Sequence, residues 1–271
     1  MNTATTPSVD QAEGLRNIFG AELSKVVCLA STLDIDSTIQ LGHGTAHALK
    51  NLGHKVLLVD EFALSDRKTM SGFLYPTRYD LGQVFSNSVS LDKSLRQIED
   101  TFWYATSAKL RTQIDMRFAR YPQLDERLIA AGMDLDYVLL PTNNPTAQVI
   151  AYYGSNVKRI ITTSPDDASL SKALAIIRQM AILQIDEPMQ ILMVGGEDEE
   201  QGNAAFEKLK DAAHKALHQD IELTGWINAI TAQRIVIDPD DLSFESPKSG
   251  PTQEFVLPNN FFKTISAKIT V

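Results

Sequence analysis

The segment STLDIDST, residues 31–38, lies between an apolar strand pattern and a helical pattern, where P-loop proteins carry their phosphate-binding loop. A P-loop needs glycines whose N–H groups close around phosphates, a lysine that neutralises them, and a Ser or Thr hydroxyl for magnesium. This segment has no glycine and no lysine, and Asp34 and Asp36 lie where a triphosphate would. One carboxylate about 4 Å from a phosphate charge costs about 4 kcal/mol at an effective dielectric of 20. The segment is therefore predicted not to bind a nucleoside triphosphate in the usual way.

The same segment also has a structural interpretation, as the start of a helix. Ser37 is a residue type that caps helices, and Gln40 follows it at the spacing of a capping box. This interpretation predicts a helix near residues 37–52 and needs no ligand. We favour it over a phosphate-binding role.

Histidines and a single cysteine are the other residues with potential chemistry. His43 and His47 lie four residues apart, as do His214 and His218, so each pair could share a metal ion. Neither pair has a nearby cysteine or an HExxH pattern, and polar helix faces explain the spacing, so we predict no metal site. Cys28 lies inside the apolar run VVCLA, which predicts a buried side chain and not a reactive thiol.

The elements that position these residues alternate between strand and helix patterns. Apolar strand patterns lie near residues 25–31, 55–60, 102–106, 136–141, 158–163, 189–194 and 221–227. Helical patterns lie near residues 37–52, 122–132, 166–181 and 199–218. The alternation predicts an α/β fold with a mostly parallel sheet and helices on both faces.

Composition limits the classes of partner. The chain has 271 residues, 44% of them hydrophobic, and a net charge of −9, which opposes binding to nucleic acid and to anionic lipid. It has no signal-like apolar core and no apolar stretch near the roughly 20 residues that span a bilayer, so we predict a cytoplasmic protein. The last segment, NNFFKTISAKITV, has two lysines and several β-branched residues, which predicts weak or no membrane binding.

We predict three regions along the chain. Residues 1–20 form a flexible segment with a short helix, residues 21–237 form the α/β domain, and residues 238–271 form an irregular tail that packs on the domain.

The stretch from Lys25 to Asp60 resembles the opening of the MinD/ParA group of deviant P-loop ATPases. That opening runs S-G-K-G-G-V-G-K-T-T, then a helix that ends in LG, then VLLVDAD. The match needs no gap from Ser31 to Gly53, and LKNLGHKVLLVD matches closely. Later, MDLDYVLLPT and ITTSPDDASLSKALAIIRQM resemble two further segments of the group. The resemblance implies a P-loop NTPase-like fold of the MinD type, whose members are ATPases.

The residues that serve ATP in that group are replaced in the loop. The resemblance places Leu33 at the signature lysine, Thr38 at the P-loop lysine and Ile39 at the magnesium-binding hydroxyl residue. Asp34 and Asp36 stand at the positions of a glycine and a valine.

Further replacements lie at separate sites. Phe62 stands at the second aspartate of VDAD, Pro141 at an aspartate that organises magnesium, Ser171 near a usual aspartate and Gly195 at an asparagine that faces adenine. Asp60 alone is retained. Because the scaffold between these sites is kept, we predict a pseudo-ATPase with a degenerate nucleotide site, no catalytic residue and no cofactor.

The segment DQAEGLR resembles the D-Q-A-x-x-L-R segment that precedes the ATPase domain in the FlhG (FleN) family of flagellar number regulators. The middle stretch TRYDLGQVFSNSVSLDKSL also resembles that family. In the family, the segment docks as a helix on the signal-recognition-particle-type GTPase FlhF and stimulates GTP hydrolysis. The resemblance implies that Gln11 lies nearest the chemistry, Asp10 is a cap, Ala12 and Leu15 form the docking face and Arg16 is a polar anchor.

The predicted function is therefore a non-hydrolysing, FlhG-like regulator of flagellar assembly, number or placement. It would be a monomer that contacts an FlhF-type GTPase, with flagellar regulators or structural proteins as further candidate partners that recruit it to the cell pole. Two alternatives stay open. The chain could be a divergent but active MinD/ParA-type ATPase, or a pseudo-ATPase accessory protein of another cell-surface system.

Overall fold

The structure is a computed structural model that describes residues 24–63, 75, 77–113, 122–154, 157–183, 187–227, 265 and 269–270. The predicted helix at the N-terminus lies outside these residues.

Eight strands form one sheet in the order β3-β4-β2-β5-β1-β6-β7-β8. They are β1 (Lys25–Ser31), β2 (Val56–Asp60), β3 (Arg96–Glu99), β4 (Phe102–Thr106), β5 (Tyr137–Thr142), β6 (Val157–Thr163), β7 (Met189–Val194) and β8 (Ile221–Ile227). All neighbouring pairs are parallel except β3 with β4. The predicted mostly parallel α/β fold is confirmed.

The α-helices lie between these strands. They are α1 (Ile35–Asn51), α2 (Leu81–Phe85), α3 (Leu110–Gln113), α4 (Leu124–Ala130), α5 (Ala147–Ile150), α6 (Asp167–Ala181) and α7 (Glu199–Leu217). None of the helices within the described residues is both long and apolar enough to cross a bilayer.

The sequence patterns located the long elements to within two residues. The elements that they missed are the short helices α2, α3 and α5 and the edge strand β3. β3 reads RQIE and is largely exposed, so it carries no apolar pattern from which a strand could be predicted. Helices α2, α3 and α5 are only four or five residues long, which is too short to show a helical period.

The sheet has an apolar core on each face. On one face, α2 to α7 contribute buried side chains such as Phe85, Leu128, Ile177 and Phe206. On the other face, Leu41 and the rest of the apolar side of α1 pack on the strands. Because both faces are covered, the central strands are apolar on both sides.

Two residues near the C-terminus belong to the second core. Ile265 and Ile269 lie four residues apart, are helical, and are fully buried in the same cluster as Val27 and Leu192. Their apolar side chains therefore lie in the protein interior. Residues 228–264 of the chain lie outside the described residues, so the three predicted regions stay predictions.

Helix α1 comes unusually close to β5 at Gly42. A Cβ atom at Gly42 would lie 2.6 Å from Cγ and 2.9 Å from Cβ of Pro141, which is buried in β5. The proline ring therefore fills the space that a larger residue of α1 would need.

We predict that Gly42→Ala destabilises the protein, by about 1–3 kcal/mol, because the added methyl group overpacks the contact with Pro141. At an unconstrained helix position the same change would stabilise by about 1 kcal/mol, so the sign of the effect is diagnostic. Urea unfolding followed by circular dichroism measures it. In a Pro141→Ala background, which removes Cγ but keeps Cβ, the penalty should be smaller. A Gly42→Ala protein at least as stable as the wild type would contradict the packing.

Candidate functional site

The topology of the sheet favours a binding site at the carboxyl end of β1. Strand β1 lies between β5 and β6, and the crossovers on its two sides run in opposite directions along the sheet. In open parallel sheets, ligands bind in the crevice outside the strand ends at such a switch point. The candidate site is thus formed by the loop after β1 and the ends of β2 and β5.

The loop between β1 and α1 is shorter than the sequence suggested. Helix α1 begins at Ile35, so only residues 32–34 separate it from β1. The helix was predicted to begin near residue 37, and it begins two residues earlier, so residues 35 and 36 belong to its first turn and not to the loop.

Asp34, and not Ser37, caps α1. Its Oδ1 accepts the Ser37 N–H at 3.0 Å, and its Oδ2 accepts the Ser37 hydroxyl at 2.7 Å. The Thr38 hydroxyl donates to the Asp34 carbonyl at 2.8 Å. The prediction of a Ser37–Gln40 capping box was therefore wrong. Aspartate is an equally preferred cap, and its negative charge also complements the positive end of the helix dipole.

Four backbone N–H groups around the loop donate to groups of the chain itself. The N–H of Thr32 donates to the Thr162 carbonyl, and the N–H of Leu33 donates to the Ser31 hydroxyl oxygen. Asp34 takes the N–H groups of Ser37 and Thr38, through its carboxylate and its carbonyl respectively. A P-loop instead turns such N–H groups towards phosphate.

Asn143 closes the loop from the side of β5. Its amide nitrogen donates to the carbonyl of Ser31 at 2.9 Å and to that of Leu33 at 2.6 Å. These two loop carbonyls therefore point towards Asn143, which ties the loop to the end of β5. No sequence pattern signals this contact, because it joins residues more than 100 positions apart.

The remaining predicted site residues are packing or loop positions. Leu33 is half-buried, Thr38 and Ile39 are buried in α1, and Pro141 packs on Gly42. Asp34 is exposed and Asp36 is half-buried at the first turn.

The retained Asp60 is buried at the end of β2. Its carboxylate accepts the Tyr104 hydroxyl at 2.6 Å and the N–H of Phe62 at 3.0 Å. Directly after β7, the Gly195 carbonyl accepts a hydrogen bond from the Trp226 indole N–H at 2.8 Å. Ser171 is exposed on α6.

The fold implies magnesium and ATP, but the residues present do not fit either group. The segment from Ser31 to Gln40 holds no lysine or arginine and carries two carboxylates, those of Asp34 and Asp36. The loop N–H groups of Thr32 and Leu33 are already paired within the chain. Among the described residues, no cluster of three His, Cys, Asp or Glu side chains could hold a metal ion.

A charged cluster beside the loop was missed by the sequence analysis. The Glu61 side chain, 8% exposed, accepts from the Thr142 hydroxyl and, at 3.1 Å, from Nη2 of Arg111. Burial raises the pKa of Glu61, and Arg111 opposes that rise. A carboxylate directly after a buried strand signals that a partner is needed, but the identity of Arg111, 50 positions later, cannot be read from the pattern.

The histidines and the cysteine have structural surroundings. His43 lies against Tyr75 and Tyr104, and His47 meets the edge of Phe102. Burial is the main cause of the lowered pKa of His47.

His214, on the distant helix α7, faces Asp220 at 3.5 Å, and His218 ends that helix in a left-handed conformation. Cys28 is fully buried, as predicted, and burial raises the pKa of its thiol so that it stays protonated.

The predicted partner-binding residues Asp10, Gln11, Ala12, Leu15 and Arg16 lie outside the described residues, so their roles stay predictions.

No protein-family model matches the chain, and no curated protein matches it. Solved structures do resemble it. The MinD cell division protein of Aquifex aeolicus is 21% identical with a TM-score of 0.52, over 76% of this chain and 82% of that one. The cell division ATPase MinD of Pyrococcus furiosus is 11% identical with a TM-score of 0.57, over 91% and 98%. A plasmid partition protein of Borrelia burgdorferi is 13% identical with a TM-score of 0.58, over 92% and 99%. At these identities the likeness establishes the fold, which is that of MinD/ParA-type ATPases.

We predict that Asp34→Ala lowers the free energy of unfolding by about 0.5–2 kcal/mol, because the N–H and hydroxyl of Ser37 lose their acceptor. Asp34→Asn is the matched control, since asparagine caps helices about as well as aspartate and should cost less. Urea unfolding of the three proteins measures the difference. Equal stability of the alanine and asparagine variants would contradict the role of the side chain as a cap.

Proposed function

We propose that this protein is an FlhG-like regulator of flagellar assembly, number or placement that hydrolyses no ATP and acts through protein contacts. The observation that carries the proposal is the Asp34 cap on the first helix of a MinD/ParA-type fold. The chain's own carboxylate lies at the helix end where members of this fold class bind phosphate.

Electrostatics supports the loss of nucleotide binding. A triphosphate placed at the start of α1 would meet Asp34 and Asp36, each repelling a phosphate charge by about 4 kcal/mol at 4 Å and an effective dielectric of 20. Both carboxylates act against binding.

The N-terminal segment supplies the proposed activity. Gln11 of the DQAEGLR segment would orient water or stabilise charge at the phosphoryl-transfer site of an FlhF-type GTPase, as a positioned amide can do without transferring a proton. Ala12 and Leu15 would form its apolar docking face, with Arg16 as a polar anchor and Asp10 as the cap. Flagellar regulators or structural proteins are the next partners to test.

The absence of a nucleotide site has a consequence for regulation. If Asp34 occupies the end of α1 and ATP does not bind there, ATP cannot change the oligomeric state of the protein. We therefore propose a constitutive monomer in the cytoplasm, brought to the cell pole by its partners.

The test is GTP hydrolysis by the FlhF-type GTPase of the same organism, measured with and without the full chain and with ATP absent throughout. Wild-type protein should stimulate hydrolysis, and Gln11→Ala should lose about tenfold or more of the stimulation, because the amide acts at the reacting phosphate.

Glu13→Ala is the matched control, since Glu13 lies on the same segment and has no assigned contact. It should stimulate as the wild type does. A folded wild-type protein that gives no stimulation would overturn the GTPase role, and equal loss in both variants would overturn the assignment of Gln11.

A further inference from the structure

The carboxyl ends of β2 and β5 are neighbours without backbone pairing. The ladder between the two strands stops at Leu58 and Leu139. Beyond that point, β2 continues to pair with β4 as far as Asp60, and β5 continues to pair with β1 as far as Thr142. Pro141 lies inside this unpaired stretch and has no N–H to donate, so the sheet is left with a gap between two of its central strands.

Side chains bridge this gap. Glu61, directly after β2, accepts from the hydroxyl of Thr142, the last residue of β5. The other Glu61 oxygen accepts from Nη2 of Arg111, which lies in α3 beyond the end of β4. Arg111 also donates to the carbonyl of Asn144 and, at 3.4 Å, to the hydroxyl of Thr146, both in the segment after β5. The contacts therefore join the ends of β2, β4 and β5.

Because the Glu61 carboxylate is buried, it depends on these hydrogen-bond and ion-pair partners. The Glu61 side chain is 8% exposed and that of Arg111 is 32% exposed. A carboxylate removed from water to this extent must be paired and hydrogen-bonded, and removal of one partner leaves the other with an uncompensated cost. The Glu99 carboxylate, which is 44% exposed in its 2.6 Å pair with Lys50, carries no such constraint.

We propose that Glu61, Arg111, Thr142 and Asn144 form a side-chain clamp that replaces the missing β2–β5 ladder. The clamp holds the segments after β2, β4 and β5 in one arrangement. These segments lie at the same edge of the sheet as the loop after β1, so the clamp fixes the shape of that surface. The proposal concerns the isolated chain and does not depend on which partner the protein serves.

Hydrogen–deuterium exchange of the full chain tests the clamp, because local opening is read segment by segment. The main variant is Glu61→Ala. Alanine occupies this position in the VLLVDAD pattern of the MinD/ParA group, so the fold accommodates it. Arg111→Ala is the second variant and does not empty a buried position completely, since Arg111 is partly exposed. Glu99→Ala is the matched control, because it breaks an ion pair whose carboxylate is exposed.

In both clamp variants, amides in residues 60–63, 107–111 and 142–150 should exchange about tenfold faster or more, while amides in β6 and β7 exchange as in the wild type. The double variant should exchange no faster than the faster single variant, because the two residues act as one unit. Glu99→Ala should leave the three segments unchanged. Unchanged exchange in the clamp variants, acceleration spread evenly over the sheet, or a double variant with the product of the two single effects would overturn the proposal.

Discussion

The hydrogen bonds from Ser37 to the Asp34 carboxylate set the geometry of the whole candidate site. They start α1 at Ile35, which leaves three residues for the loop and turns Thr38 and Ile39 into buried helix positions. They also put a negative charge at the positive end of the helix. A helix end of this kind binds anions in many proteins, and here the anion is part of the chain.

The replaced positions are adapted to one another. Pro141 needs the absence of a side chain at Gly42, because the ring occupies the space that a Cβ would take. The same proline interrupts backbone pairing with β2, and Glu61 with Arg111 bridges the interruption. The Asn143 amide donates hydrogen bonds to the carbonyls of Ser31 and Leu33 and so holds the loop from the side of β5. The site is thus a packed and hydrogen-bonded assembly of the chain's own side chains.

Sequence patterns predicted the parts of this molecule that depend on local order. Strands such as VVCLA and VLLVD are continuous apolar runs, so β1 and β2, the alternation and the fold could be inferred. The departure from the P-loop residue pattern was visible because it concerns residue types within one segment. The start of α1 was misplaced because Asp34 and Ser37 are both good caps and only tertiary packing decides between them. The Glu61–Arg111 and Asn143 contacts could not be predicted, since they join residues that are distant in the chain and belong to no periodic pattern.

The central claim is that the chain's own groups occupy the place of the nucleotide, and direct titration of the wild-type protein with ATP and magnesium tests it most directly. Isothermal titration calorimetry should give no saturable binding, with any dissociation constant weaker than about 1 mM, which corresponds to less than about 4 kcal/mol of binding free energy. Stoichiometric, magnesium-dependent binding with a micromolar dissociation constant would contradict the account.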